Sequence, residues 1–327
     1  MHLHQVVIAY KEGDYTSKTA CQVCAEQLRQ RGVTVLTAPT GTYHNPYPVF
    51  LEATSEPIDL AVVLGGDGSV LAAARYLAPF GIPILPVKAG GHLGFLAQSA
   101  QVLQEDPWER IAADDFVWQS RMMLQAEIQE QVQLGQGDPV PGQGGSHRRR
   151  QSVSEVFYCL NEMCLKPTSK TRLPSAIMEI EVNGEILDQY HGDGVLVATP
   201  TGTTSYTVAA NGPIIAPELD VITITPICPL SLSSRPIVIG GDVRVEIWPL
   251  SDPEGLTRLW TDGVAAQSVN PGQWVEIRQA PHMAKMVILE RQLSYFRTLR
   301  EKLQWAGSRI YIPTTNHRPD PMGSTSN

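Results

Sequence analysis

Gly65-Gly66-Asp67-Gly68-Ser69 stands between an apolar run that ends in Val62-Val63-Leu64 and a segment whose apolar residues recur at helical spacing. Glycines at such a junction leave backbone N–H groups open to an anion, at the partly positive start of a helix. Asp67 brings an anion of its own to that place. Three chemistries suit a carboxylate there. It can cap the helix, ligate a metal, or take a proton from a hydroxyl while the neighbouring amides hold a phosphate. The last is phosphoryl transfer, in which a base orients the nucleophile and hydrogen-bond donors meet the charge on the transferred group.

Three further stretches carry polar chemistry. Lys88 to Leu96, "KAGGHLGFL", is a second glycine-rich turn after a strand, opposite the first in a doubly wound sheet, where ligands bind. In it His92 serves either structure or a ligand. Leu160-Asn161-Glu162 sets an amide, which reads a base edge or a carbonyl, beside a carboxylate that can accept from both hydroxyls of a ribose. Residues 191–213, "HGDGVLVATPTGTTSYTVAANGP", hold an acidic turn, a strand and then the hydroxyl-rich run Thr199 to Tyr206. Such a run offers donors to a polar ligand and little to a core. Cys21 and Cys24 have redox or zinc spacing, but no second pair or histidine completes a site. At i, i+3 on a predicted helix they are expected to pack inside.

The elements that must position these residues follow from periodicity. "QVVIAY", "VTVLTA", "IDLAVVLG" and "IPILPV" read as strands, with helices from Ser17 to Gly32 and from about Ser69. That alternation predicts a doubly wound, Rossmann-like α/β domain with a mostly parallel sheet over residues 1–118. From about residue 120 the period changes to two, with Leu124, Ala126, Ile128, Val132 and Leu134 on one side. "MEIEVNGEILDQY" signals a hairpin around Asn183-Gly184. Residues 119–290 are therefore expected to form a mainly β, sandwich-like domain. Gly135 to Ser152 is rich in Gly, Pro and polar residues, so 135–152 reads as a flexible loop, its arginines (148–150) a solvated tip or a partner site. An amphipathic helix over 291–306 is expected to return to the first domain, and 313–327 to be disordered.

At 327 residues the chain is long enough for two cores. A net charge of −8, with no basic face or aromatic series, excludes non-specific nucleic-acid binding. No apolar stretch approaches the roughly 20 residues that span a bilayer. The N-terminal "MHLHQVVIAYKEGD" reads as a first strand and lacks a signal peptide's apolar core. Five irregularly spaced cysteines suggest free thiols in a cytoplasmic protein.

Taken in order, "GGDGS", "GGHLGFL", "LNE", "GDG", "TPTGTTSY" and "TPICPLSLSSRPIVI" resemble the NAD kinase family over most of the chain, and "GGHLGFL" with "LREKLQWAGSRI" resembles its cyanobacterial members. The resemblance implies transfer of the γ-phosphoryl of ATP to the 2′-hydroxyl of the adenosine ribose of NAD, with Mg²⁺ accompanying ATP and no metal held by the protein alone. It makes Asp67 the base, with Gly68 beside it. Asn161 and Glu162 would hold the nicotinamide half, with His191 and Asp193 near it and Arg172 toward a phosphate. Thr204, Ser205, Tyr206, Thr207, Val208 and Ala209 would line the adenosine side, and Asp262 would approach the site. Gly65, Gly66, Gly68, Lys88, Gly90 and Gly91 would hold the phosphates of ATP. A homodimer or homotetramer is implied, with neither nucleic acid nor membrane as a partner. Lys88, Ser205, Asn211, Leu230 and Val264 depart from the family's usual residues, which bears on donor choice, metal coupling and regulation. Two alternatives share parts of the pattern: a catalytically weak NAD(P)-sensing paralogue, and a lipid or sugar kinase with the same glycine turn. The hydroxyl-rich run speaks for a dinucleotide over an acyl chain.

Overall fold

The Asp14 carboxylate accepts from the Thr16 N–H at 2.9 Å and opens the first helix, which closes at Gly32 with φ +79°. Ser17, Cys21, Cys24, Ala25 and Leu28 form its buried stripe at i, i+4, i+7, i+8, i+11. The computed structural model describes residues 1–42, 44–89, 94–133, 148–169, 175–251, 257–290 and 294–304. The first part of the chain runs β1 (Gln5–Lys11), α1 (Tyr15–Gln30), β2 (Thr34–Thr40), α2 (Tyr47–Glu52), β3 (Leu60–Leu64), α3 (Asp67–Leu77), β4 (Ile84–Lys88), β5 (Gln98–Ser99), α4 (Pro107–Ala112) and β6 (Val117–Arg121). Every residue of β3 is buried, as in a strand covered on both faces.

Then come β7 (Leu124–Gln133), β8 (Arg148–Ser152), β9 (Phe157–Cys159), β10 (Glu162–Pro167), β11 (Ala176–Val182), β12 (Glu185–Gly192), β13 (Gly194–Ala198) and the short α5 (Tyr206–Ala209). The series continues with β14 (Val221–Ile227), β15 (Ile237–Gly240), β16 (Arg244–Ser251), β17 (Thr257–Thr261), β18 (Val264–Val269), β19 (Gln273–Gln279) and β20 (Ala284–Ile288). Helix α6 (Tyr295–Lys302), capped by Ser294, belongs to a separate unit that begins at Gln292.

The first sheet has the order β2-β1-β3-β4-β20-β6, with β5 also on β4, and all its pairs are parallel except β20 with β6. Two antiparallel sheets follow, β15-β14-β13-β10-β17-β18 and β12-β11-β16-β19-β7-β8. Met163, Leu165, Val195 and Ile224 of the one interleave with Leu124, Met178, Ile247 and Val275 of the other in a single core. A second core, with Val6, Ile8, Leu28, Val62 and Leu85, lies in the α/β part. The doubly wound domain and the sandwich are both as expected. So is the hairpin: Asn183 and Gly184 take φ of 53° and 86°, the left-handed pair of a type I′ turn.

Two boundaries differ. Strands β6 and β20 pair within the α/β sheet, so residues 119–121 and 284–288 leave the expected β domain. The apolar run of β20 identifies a buried segment but not its sheet, and β6 is too exposed to stand out. The last part of the expected loop 135–152 is strand β8, paired to β7. Its Arg150 forms an ion pair with Glu246, which is fully buried, and lies 5.5 Å from the centroid of the Trp274 ring. Arg150 is therefore no free loop tip. Residues 135–147 and 313–327 lie outside the described residues.

Candidate active site

At the sheet's topological switch β1 and β3 lie side by side, with Tyr10 opposite Leu64, while β2 and β4 flank them on opposite sides. The crevice beyond such strand ends is where open α/β sheets bind ligands. Gly65 and Gly66 begin there. A Cβ on Gly65 would sit 2.4 Å from Ser69 Oγ, so only glycine lets α3 start this close to β3. Over Gly68 the space is open, and a ligand can approach its backbone.

Asp67 does not cap α3. Gly66 is the capping residue, and it makes no side-chain hydrogen bond. The Asp67 carboxylate instead accepts from the Phe95 N–H at 2.7 Å and the Leu96 N–H at 3.2 Å. A Cβ on Gly94 would come within 2.1 Å of Asp67 Oδ1, so the second glycine turn closes directly on the carboxylate. Among the described residues no group of three His, Cys, Asp or Glu side chains could hold a metal. Lys88 ends β4 at the same edge, and its Nζ lies 3.0 Å from where a Gly66 Cβ would be. No ion pair joins it to Asp67 among the described residues. Gly90, Gly91 and His92 lie outside those residues.

The Asn161-Glu162 turn opens β10. Its partner is the hydroxyl-rich run, which approaches so closely that a Cβ on Gly202 would be 2.1 Å from the Asn161 carbonyl oxygen. The Thr199 N–H donates to that same oxygen at 2.9 Å. Several hydroxyls expected to face a ligand are used internally. Thr199 Oγ1 donates to the Leu160 carbonyl, Thr203 Oγ1 to Pro200 and Thr204 Oγ1 to Thr201. Thr207 is fully buried, and its Oγ1 has no partner among the described residues. Ser205, Tyr206, Val208 and Ala209 keep exposed surface.

Glu162 is only 5% exposed; its Oε1 accepts from Ser205 Oγ at 3.4 Å, and its Oε2 has no partner among the described residues. Burial, and next the nearby Asp262 charge, push its carboxyl up to about 8, against the pull of the Ser205 hydroxyl and the Tyr206 backbone. A buried acid with an orphaned oxygen suits a ligand's hydrogen-bond donor.

Asp262 is placed differently from the expectation. Its side chain has no exposed surface and faces four donors: Arg75 Nη1 at 3.0 Å and the N–H groups of Leu160, Asn161 and Glu162 at 3.1, 2.7 and 3.3 Å. Burial pushes its carboxyl up, Arg75 and the backbone donors oppose this, and an all-donor shell is one that fits the ionised form. Asp262 touches the turn, not the cleft.

Asp193 and Tyr206 line a cavity of about 490 Å³ together with Lys166, Ala209, Cys228 and Arg235. Lys166 carries no signal in the sequence. Its Nζ is 3.3 Å from the Tyr206 hydroxyl and 5.8 Å from the ring centroid. His191 does not line this cavity; it is exposed, with Nε2 3.5 Å from Ser175 Oγ. Arg172 lies outside the described residues.

An α/β layer on a β-sandwich, with a carboxylate in a phosphate-type glycine turn and a cavity on the sandwich that carries Lys166, Asp193 and Arg235, defines a phosphotransferase of the nucleotide-binding kind. The ATP-NAD kinase N-terminal domain matches residues 6–116 and the ATP-NAD kinase C-terminal domain residues 160–289. The chain belongs to the ATP-NAD kinase family. It is 50% identical to NAD kinase 1 of Thermosynechococcus vestitus over 97% of this chain and 100% of that one. It is 52% identical to NAD kinase 1 of Synechocystis over 97% and 99%. Among solved structures, yeast NADH kinase complexed with NADH superposes with a TM-score of 0.75 at 21% identity, over 95% of this chain and 90% of that one. An NAD kinase from Archaeoglobus fulgidus in complex with ATP gives 0.65 at 19%, over 92% and 99%. At those identities the two structures share the fold.

Proposed function

We propose that the crevice at Asp67 is where ATP phosphorylates the 2′-hydroxyl of the adenosine ribose of NAD. Family membership and the identity to NAD kinases over the whole chain make this protein an NAD kinase; the assignment of roles to residues is our reading. The observation that carries it is the Asp67 carboxylate, withdrawn from its own helix and oriented by two backbone N–H groups beside the open Gly68. Asp67 takes the proton of the 2′-hydroxyl as that oxygen bonds to the γ-phosphorus, and the bond to the β-phosphate oxygen breaks to release ADP. Backbone N–H groups from Gly65 to Gly68, with Gly90 and Gly91, cradle the phosphates. The position of Lys88 over Gly66, and not on Asp67, supports its role on the same phosphates.

Asn161 and Glu162 take the nicotinamide half. Asp193, Ser205, Tyr206 and Ala209 supply the walls of the dinucleotide site, Thr204 and Val208 contribute backbone and bulk, and Arg172 serves a phosphate. The described side chains do not form a metal site by themselves. Magnesium fits as part of the ATP complex, where it would neutralise charge between the phosphates. Five unpaired cysteines support a reducing cytoplasm, and among the described residues no helix is long and apolar enough to cross a membrane. A homo-oligomer rests on the family resemblance, and sedimentation reads it directly.

The purified protein with NAD, ATP and Mg²⁺ should form NADP, followed by a coupled dehydrogenase, with polyphosphate tested next as donor. NAD binding without NADP from either donor would support the sensor reading instead.

A further inference from the structure

We infer that Arg75 and Asp262 are a positioning pair: they lock the Asn161-Glu162 turn to the helix that carries Asp67, and so set NAD relative to the base. The inference rests on the NAD-site reading above. Helix α3 begins at Asp67, and Arg75 lies eight residues on, two turns or roughly 12 Å along the same rigid rod. The Arg75 guanidinium, 14% exposed, reaches Asp262 Oδ2, which also accepts from Leu160 N–H. Asp262 Oδ1 accepts from the N–H groups of Asn161 and Glu162. The Asp262 N–H donates back to the Glu162 carbonyl oxygen at 3.0 Å, so the two turns grip each other from both sides. Asp262 holds φ +48° next to Gly263 at +77°, a left-handed turn that aims its carboxylate inward instead of along β18.

A pair kept only for stability could sit anywhere. This one ends on the backbone of Leu160, Asn161 and Glu162, the last of which carries the orphaned oxygen, and it starts on the helix of the base. Charge-assisted hydrogen bonds to three consecutive N–H groups fix a turn far more tightly than packing does. The Asp262 side chain has no exposed surface, and Arg75 borders a cavity of about 640 Å³ that none of Asp67, Asn161, Glu162 and Tyr206 lines, so the pair acts through the turn.

Arg75→Met, Arg75→Lys and Asp262→Asn test this in the full chain. After thermal melting establishes which variants fold, KM for NAD, KM for ATP and kcat are measured with NAD affinity against pH. Arg75→Met should raise KM for NAD about tenfold or more, while KM for ATP stays within about twofold, because the phosphates are held at the other end of α3. Arg75→Lys keeps the charge but not the geometry and should give a rise of about two- to threefold; it remains decisive should Arg75→Met fail to fold. The groups facing Glu162 are Asp262, Cys159, Cys164, and the Ser205 hydroxyl and Tyr206 backbone. Asp262→Asn removes the one carboxylate among them and should move the inflection in NAD affinity down by about one pH unit. Unchanged NAD affinity in every folded variant, or equal rises for NAD and ATP, overturns the positioning role. Failure of the unaltered protein to bind NAD would instead sink the NAD-site reading.

Discussion

Asp67 and Glu162 are two carboxylates in opposite settings. Asp67 meets backbone donors at the mouth of an anion-binding turn, while Glu162 is buried, near Asp262, with one oxygen unpartnered. Asp67→Asn keeps the size but offers an NH₂ where a proton acceptor is needed. Its kcat should fall about 10²-fold or more with NAD affinity nearly unchanged. Near-normal turnover would leave Asp67 as a tether for the Phe95–Leu96 backbone. For Glu162 the sign follows from its raised pKa. In the free protein the carboxyl holds its proton up to about pH 8, so its contribution to stability is present below the ordinary carboxylate range and lost as pH rises through about 8. Two ribose hydroxyls donate best to an ionised carboxylate, so NAD binding must drive a proton off below that pH. The dissociation constant for NAD should therefore fall as pH rises from 6 to 8, and Glu162→Gln should flatten the profile. A calorimetric profile with no slope in the unaltered protein would remove Glu162 from the ribose contact.

At the scale of elements, the β7–β8 hairpin separates what is dispensable from what is not. Gln133 and Arg148 are register partners, so a two-residue Asn-Gly turn can replace 134–147 without shifting either strand. Folding and activity should survive that replacement, since shortening a loop changes closure entropy little. A deletion that extends through Arg150 removes a guanidinium from the fully buried Glu246. Arg244 Nε, 3.2 Å away, then stays as the carboxylate's ion-pair partner. Arg150→Ala alone should cost about 1–3 kcal/mol in urea unfolding, less than a wholly buried pair because Arg150 is itself half-exposed. Equal unfolding midpoints for the two deletions would show that Arg150 holds nothing.

Across the whole molecule the five thiols divide four to one. Cys21, Cys24, Cys159 and Cys164 are buried, and Cys228 is exposed on the wall of the Lys166–Tyr206 cavity. Burial raises the thiols of Cys21 to about 11 and of Cys24 and Cys164 to about 12, which leaves almost no reactive thiolate at neutral pH. An aromatic disulfide reagent should titrate one thiol in the native enzyme and all five after denaturation. Saturating NAD should slow the reaction of Cys228. If NAD leaves that rate alone, this cavity is not part of the dinucleotide site.

The sequence by itself determined the architecture and the motif chemistry, because both are written in neighbours. Continuous apolar residues in β3, alternation from Leu124 onward and the Asn183-Gly184 turn are local signals, and each appears as read. The Gly65–Gly68 turn and the Asn161-Glu162 pair were legible as sites because glycines, an amide and carboxylates are out of place in a core. Only the tertiary structure decided which polar groups face a ligand and which hold the frame. Asp262 and Asn161 are about a hundred residues apart, and nothing in "TDG" says that its carboxylate will turn inward to Leu160, Asn161, Glu162 and Arg75. The hydroxyls of Thr199 and Thr203 look like that of Ser205 until the run closes on the Asn161 carbonyl and commits them to backbone carbonyls. Lys166, Arg150 and the return of β20 to the first sheet belong to the same class. Their partners come from distant parts of the chain, and periodicity registers an element without registering its neighbour.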